Sequence, residues 1–412
     1  MKSDVVIVGA GLAGLCAAIT IQRAGFHPVV IDGADRVGGR VRTDHVDGYT
    51  LDHGFQVFNP AYPTAKALLN YDELQLKPFS PGVRVVRGSD ETLLGNPLRD
   101  VSFFTAFANT FRAKGFSGFS DVSKFGIYAG LAASKTSPDV YDCTAREALR
   151  RAGMSEDFVE HTLKPFLTGV FLEDCLETSR RTLDFVLEFF IKGVPAVPAR
   201  GMSAIPLQLS SLLHSDSVLL NTWAHRVSAN QVQSDAGTLD ASAVILASDF
   251  ETAHAWLGTN NHSWRSVTTW YHTSNQPLMN GKALLSVDGN SAGPAINTVP
   301  LTNTANTYAP EDKVLISSST LGTDTSTEME NRLRHHLAHI YRTNTDDWTL
   351  IGVRSVERAL PSSLPPMHIH NSVPCVDGVF MAGDHLRQPS IEAAMASGVA
   401  AGQAAIAKIR GR

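Results

Sequence analysis

The chain has 412 residues, of which 43% are hydrophobic and 18% charged, with a formal net charge of −5 at pH 7. That length exceeds what one compact core holds and predicts two domains, while the acidic balance excludes the basic footprint of a nucleic-acid-binding protein. Four cysteines (Cys16, Cys143, Cys175 and Cys375) without a C-x-x-C pair exclude a zinc ribbon or a disulfide framework, and a reduced, cytoplasmic setting is expected.

The first element is expected at once, so no secretory leader is read from the start of the chain. Val5 to Val8 form a continuous apolar run, the pattern of a strand buried on both faces. Gly9, Gly11 and Gly14 follow as G-x-G-x-x-G. The first glycine permits a tight turn, the second lets backbone approach a pyrophosphate, and the third lets a helix pack on the strand. Residues 12–24 are rich in Ala, Leu and Ile and predict that helix, with Gly25 as its C-terminal stop. "PVVID" is the second strand, ending at Asp32, an acidic residue suited to a ribose hydroxyl and hostile to a 2′-phosphate. Strand, helix, strand and acid in this order specify a dinucleotide site, which a Gly-rich surface turn would not require.

Asp32 opens a D-x(5)-G-G-R element that closes with Gly38, Gly39 and Arg40. This resembles flavoproteins of the amine oxidase and phytoene desaturase superfamily, which also contains protoporphyrinogen oxidases. The resemblance implies that Gly38, Gly39 and Arg40 lie along an FAD diphosphate, where glycine allows close approach and guanidinium matches phosphate oxygens. "LDHGFQVF" (51–58) is similar to the family's D-x-G-x-x strand near the flavin, with Asp52, Gly54 and Gln56 at the matching positions. "ARGMSAIPLQLSSLL" resembles its G-G-M helix, with Arg200 where glycine is common. The short strands that follow, up to the apolar run 243–247, place Val227 as the candidate backbone contact to adenine.

The pieces between are less informative. Phe103, Phe104, Phe107 and Phe111 share one helical face, with Phe116 and Phe119 close behind. Such a stripe is core, the wall of an apolar channel, or a peripheral membrane contact. "FVLEFF" (185–190) adds a second aromatic cluster, and residues 267–271 and 313–318 read as strands flooring a pocket. No apolar run reaches the roughly 18 residues of a membrane span. The His335-His336 and His368-x-His370 pairs lack a completing ligand set, so no metal is expected, and no G-x-S-x-G nucleophile is present.

At the far end stands "GDHLRQPSIEAAMASG". By the resemblance, Gly383 lies close to the cofactor and Asp384 bonds the ribityl chain. A helix starting near Pro389-Ser390, with Ile391 at the cofactor, would aim its positive end at the pyrimidine side of the flavin. Ser390 occupies the place where amine oxidases carry an aromatic cage residue, which brings the motif nearer to the desaturases. Cys375 matches no covalent flavin site, so non-covalent FAD is implied. The expected fold is α/β: a Rossmann-type, glutathione-reductase-like FAD domain (1–70, 200–252 and 362–412) interleaved with a mixed-sheet and helix substrate domain (71–199 and 253–361). The implied chemistry is hydride transfer from a small, largely apolar substrate to the flavin, with oxygen or another electron acceptor. Amine oxidation is the alternative, and a redox-neutral isomerase or a lipid-escort protein without flavin also stay open. His53, Gln56, Trp270, Tyr271, Arg354 and Ser390 are the pocket candidates, with no catalytic base named.

Overall fold

The structure is a computed structural model that describes residues 3–95, 120–134, 141–258, 263–367, 369 and 372–411. The aromatic stripe at 103–119 and the His368/His370 pair lie outside these residues.

The first apolar run is strand β1 (Val5–Val8), followed by helix α1 (Leu12–Arg23) and strand β2 (Pro28–Ile31). All four residues of β1 and of β2 are buried, as a parallel sheet covered on both faces requires. The six-stranded sheet runs Cys375–Val376, Val379–Met381, Ala243–Leu246, β1, β2, Val218–Leu219. Its neighbours are parallel, except for the edge hairpin 375–381. It therefore gathers strands from the beginning, middle and end of the chain. Ala224–Ser228, Gln231–Ser234 and Gly237–Asp240 form a separate three-stranded antiparallel meander.

The second large sheet has seven strands, ordered Thr349–Pro361, Trp264–Ser274, Val314–Leu321, Asn297–Pro300, Leu285–Asp288, Val83–Arg87 and Asp90–Leu94. The strands expected at 267–271 and 313–318 are thus neighbours, paired antiparallel from Val267↔Leu321 to Ser274↔Val314. Helix Thr327–Tyr341 covers one face, where Trp270 packs with Leu333, Leu337 and Ile340. Helices between Ala145 and Lys192, including Lys164–Phe171 and Arg180–Lys192, pack a core with Val83, Val85 and Val287 at the end of the same sheet.

The C-terminal helix Ile391–Arg410 lies along α1. Two glycines set the separation: a Cβ on Gly398 would sit 2.0 Å from the Ala13 carbonyl oxygen, and one on Gly402 would sit 3.0 Å from that of Ala17. The small residues of the closing motif thus serve a helix–helix contact as much as a cofactor contact.

Candidate active site

One cavity of about 1170 Å³ runs from the ends of β1 and β2 to the aromatic residues beside the seven-stranded sheet. This exceeds the roughly 300–1,000 Å³ of a typical small-molecule pocket. At one end it is lined by Gly9, Gly11, Asp32, Gly38, Gly39, Arg40, Gly383, Asp384 and Ile391. All of these are residues that the sequence motifs single out.

Each glycine of the first loop has its own geometry. Gly9 has φ +112, and a Cβ there would meet the Ala247 carbonyl oxygen at 2.6 Å. Gly14 does not line the cavity; a Cβ there would lie 1.8 Å from the Gly9 carbonyl oxygen, so its role is the close approach of helix to loop. Gly11 has open space where its side chain would be. It is the N-cap of α1, which has no side-chain cap and no acidic residue in its first turn. An uncapped helix N-terminus presents N–H donors and a positive dipole end to the cavity. Asp32 braces the loop: its carboxylate accepts from the Ala10 N–H at 2.7 Å and the Ala34 N–H at 2.8 Å.

Arg40 and Asp384 are brought together. Arg40 Nη1 donates to Asp384 Oδ2 at 2.9 Å and to the Ala359 carbonyl at 3.2 Å, and Nη2 donates to Asp384 Oδ1 at 2.5 Å. Burial alone would raise the Asp384 carboxyl, but the Arg40 guanidinium outweighs it and holds the carboxyl below its ordinary value. Two roles expected to be separate are a coupled, bidentate pair on the cavity wall.

Helix Ile391–Arg410 begins at this wall. The Ser390 hydroxyl accepts from the Ala393 N–H at 3.0 Å and donates to the Gln388 carbonyl, so it is a helix cap that also lines the cavity. Glu392 turns away from the cavity and accepts from both the N–H and the hydroxyl of Thr64, fastening the helix to Pro63–Leu68. Gly54, at φ +88, is likewise absent from the lining; it turns the chain so that Phe55, Gln56 and Val57 line it instead.

Several expected positions are corrected. Trp270 points into the core beneath helix Thr327–Tyr341, its indole bonded to Thr320, because alternate residues of a strand face opposite sides. Tyr271 faces the other way but is fully buried, its hydroxyl donating to the Asp52 carbonyl at 2.7 Å. His53 and Arg354 both bind Asp44, at 2.8 Å each, outside the cavity. Val227 packs against the core beneath the meander, and the cavity is met three to five residues earlier by Thr222, Trp223 and Ala224. The strand has a register shift between Ala224 and Arg226, so only its first residue reaches the cavity. Of the pocket candidates, Gln56 and Ser390 line the cavity.

The family model for flavin containing amine oxidoreductase matches residues 12–406. The chain belongs to this family. Putrescine oxidase of Kocuria rosea is 44% identical over 79 residues, covering 19% of this chain and 16% of that protein. The chloroplastic protoporphyrinogen oxidase of Nicotiana tabacum is 27% identical over 175 residues, covering 42% and 29%. These matched segments span less than a third of the relatives' own lengths. Among solved structures, a putrescine oxidase redesigned in its cofactor binding superposes with a TM-score of 0.76 at 17% identity, covering 99% of both chains. A putative protoporphyrinogen oxidase from Exiguobacterium sp. 255-15 gives 0.72 at 15%, covering 100% of this chain and 99% of that one. Identities this low establish the shared fold.

FAD is the cofactor of this family member, and the cradle fits it. The open side of Gly11 and the uncapped α1 terminus suit a diphosphate, and Asp32 keeps acceptor capacity for a ribose. None of the four cysteines lines the cavity, in keeping with non-covalent binding. Among the described residues, no group of three or more metal-ligating side chains occurs, and no helix is long and apolar enough to cross a membrane.

The other arm of the cavity comes from four separate stretches. Phe55, Tyr62 and Phe79 precede the second sheet, Phe166 and Val170 lie on helix Lys164–Phe171, Phe185, Phe189 and Phe190 lie on Arg180–Lys192, and Leu285 and Asn297 are on the sheet itself. Tyr62 stacks on Phe185 at 6.3 Å and meets Phe189 edge-on at 4.8 Å between centroids. The "FVLEFF" cluster was visible in the sequence. Tyr62, Phe79, Phe166 and Asn297 carry no motif, and only the fold assembles them.

Proposed function

We propose that this chain is an FAD-dependent oxidoreductase that removes a hydride from a carbon of a largely apolar organic substrate, in the manner of a dehydrogenase, desaturase or oxidase. One observation carries the reading. Among the described residues, the lining of the arm at 55–83, 166–195, 285 and 297 contains no Asp, Glu, Lys, Arg or His. A charged substrate would lose its hydration there without a counter-ion, a penalty of several kcal/mol. An apolar substrate gains about 25 cal/mol for each Å² it buries.

Bound FAD supplies the hydride-accepting ring and passes electrons on to oxygen or another acceptor. The protein does the rest. The loop Gly9–Gly11 and the start of α1 bind the diphosphate, and Asp32 takes the ribose. The Arg40–Asp384 pair places a fixed guanidinium and carboxylate on the wall between the cradle and the arm. The N-terminus of Ile391–Arg410, capped by Ser390, favours negative charge at its end of the cavity. The aromatic arm excludes water and holds the substrate by contact area.

Direct amine oxidation is the second reading, and the Tyr62–Phe185–Phe189 cluster favours it, because ring faces attract cations. Against it, neither Lys282 nor Lys313 lines the cavity, and Ser390 caps a helix where an aromatic wall would stand. Anaerobic bleaching of the flavin by a panel of amines, porphyrinogens and polyenes separates the two. Bleaching by an uncharged polyene or porphyrinogen supports the proposal. Bleaching by amines alone overturns it.

A further inference from the structure

The cofactor end of the cavity carries an aromatic side chain that no motif announces. Trp223 is 64% exposed, and among the described residues it is the one large exposed hydrophobic side chain that lines the cavity. A single exposed apolar residue is ordinary on a protein surface. An indole seated firmly against a binding cavity is a different matter, because its free face is available for stacking.

The fold builds the seat. A Cβ on Gly33 would lie 2.3 Å from Trp223 Cδ2 and 2.4 Å from Cε2, the two atoms that the indole rings share, so one face of the indole lies on Gly33. A side chain at position 33 would displace it, and the exposure of Trp223 leaves the opposite face open. The backbone is held from both sides. The Thr222 N–H donates to the Asp32 carbonyl at 2.8 Å and the Asn221 N–H to that of Ala34 at 2.9 Å. The Trp223 N–H donates to the Asp235 carboxylate at 2.9 Å, and the Asp235 N–H donates back to the Trp223 carbonyl at 3.1 Å. The indole is thus fixed beside Asp32, the carboxylate assigned to the ribose.

We infer that Trp223, seated on Gly33, is the stacking platform for the adenine of FAD, and that it makes the site select the dinucleotide over flavin mononucleotide. Base and ribose are covalently adjacent, so the indole and the Asp32 carboxylate engage neighbouring parts of the same half of the cofactor. Val227 is packed beneath the meander, and the side chain four residues earlier supplies the apolar contact in its place. An indole face offers the base a broad, uncharged surface at no cost in buried charge. Flavin mononucleotide has no adenine and gains nothing from it. The inference concerns the cofactor end alone, and holds whatever substrate enters the aromatic arm.

The test titrates full-length apoprotein with FAD and with flavin mononucleotide, reading the quenching of flavin fluorescence. Trp223→Ala is expected to weaken FAD binding roughly 5- to 150-fold, the scale of one stacked base, and to leave the affinity for flavin mononucleotide within about twofold. Trp223→Phe, which keeps a ring face, should recover most of the loss. Gly33→Ala should weaken FAD binding in the wild-type background by displacing the indole, and should change nothing further in Trp223→Ala, where its methyl group meets no ring. If flavin mononucleotide binds too weakly to measure, the FAD ratio and this double-mutant comparison decide. Unchanged or tighter FAD binding in Trp223→Ala, an equal loss for both flavins, or additive effects of the two substitutions overturns the inference and leaves the cradle standing. Wild-type protein that takes up neither flavin contradicts both.

Discussion

Gly11 and Gly14 stand three residues apart in one motif and fail in different ways. A side chain on Gly11 enters open cavity space beside the uncapped end of α1, and the backbone there (φ −72, ψ −179) suits a β-branched residue. Gly11→Val is therefore expected to give folded protein that purifies without FAD. Gly14→Val puts a methyl group onto the Gly9 carbonyl and is expected to lose the folded state itself. Circular dichroism together with the visible spectrum distinguishes the two outcomes; yellow, fully loaded Gly11→Val protein would refute the cradle. The Arg40–Asp384 pair offers a second test at this scale. Asp384→Ala removes two charge-assisted hydrogen bonds and leaves Arg40 facing the cavity, so FAD affinity should fall by about 1.5–3 kcal/mol, measured by titrating apoprotein. An unchanged affinity would mean that the pair is scaffold only.

At the scale of elements, the C-terminal helix has two separable duties. Its start faces the cavity under the Ser390 cap, and its middle packs on α1 through Gly398 and Gly402. Ser390→Ala should lower stability by about 0.5–2 kcal/mol with FAD retained. Gly398→Val, which drives a side chain into the Ala13 carbonyl 2.0 Å away, should push α1 from its place and lose both stability and FAD. Thermal unfolding followed by flavin release and by far-ultraviolet dichroism measures each. This helix also shows how much could be read in advance. The βαβ unit, the G-G-R element and the Gly-Asp-helix ending were legible because each demands particular residues at fixed spacing: glycine where backbone crowds, and a carboxylate at a strand end. The helix–helix use of Gly398 was not, since a glycine inside a helix looks the same whether it faces a cofactor or a carbonyl. Trp270, Tyr271, His53 and Arg354 failed as pocket residues for a related reason. For the three on strands, alternation told which residues share a face, and not which face meets the cavity; His53, just past the strand Tyr49–Asp52, is drawn aside by Asp44. Gly33 and Trp223 lie 190 positions apart in the chain, and only tertiary contact joins them.

Over the whole molecule, the six-stranded sheet with its two packed helices supplies the cradle and the seven-stranded sheet with the helices of 145–192 supplies the arm, so the elements that carry the site are also the ones that bury the cores. His272 reports on the seven-stranded sheet. It is wholly buried on strand Trp264–Ser274, next to the edge strand; burial, and then the nearby Arg334 charge, push its pKa down to about 4 from the ordinary 6.5. Between those two pH values the unfolded chain binds the proton and the folded chain does not. This contribution to stability is thus complete above pH 6.5, is lost as pH falls toward 4, and amounts to about 3 kcal/mol at most. Urea unfolding at pH 7 and pH 4.5 should show the loss, and His272→Phe should reduce it. If the loop of Gly9, Gly11 and Gly39, with Arg40 and Asp384, holds FAD non-covalently beside an apolar arm, the visible spectrum of the purified full-length protein, followed by acid precipitation, will show it. The expected result is a flavin spectrum at stoichiometric occupancy, with FAD released intact into the supernatant. A colourless protein that takes up no added FAD, or flavin that stays on the precipitated chain, would contradict it.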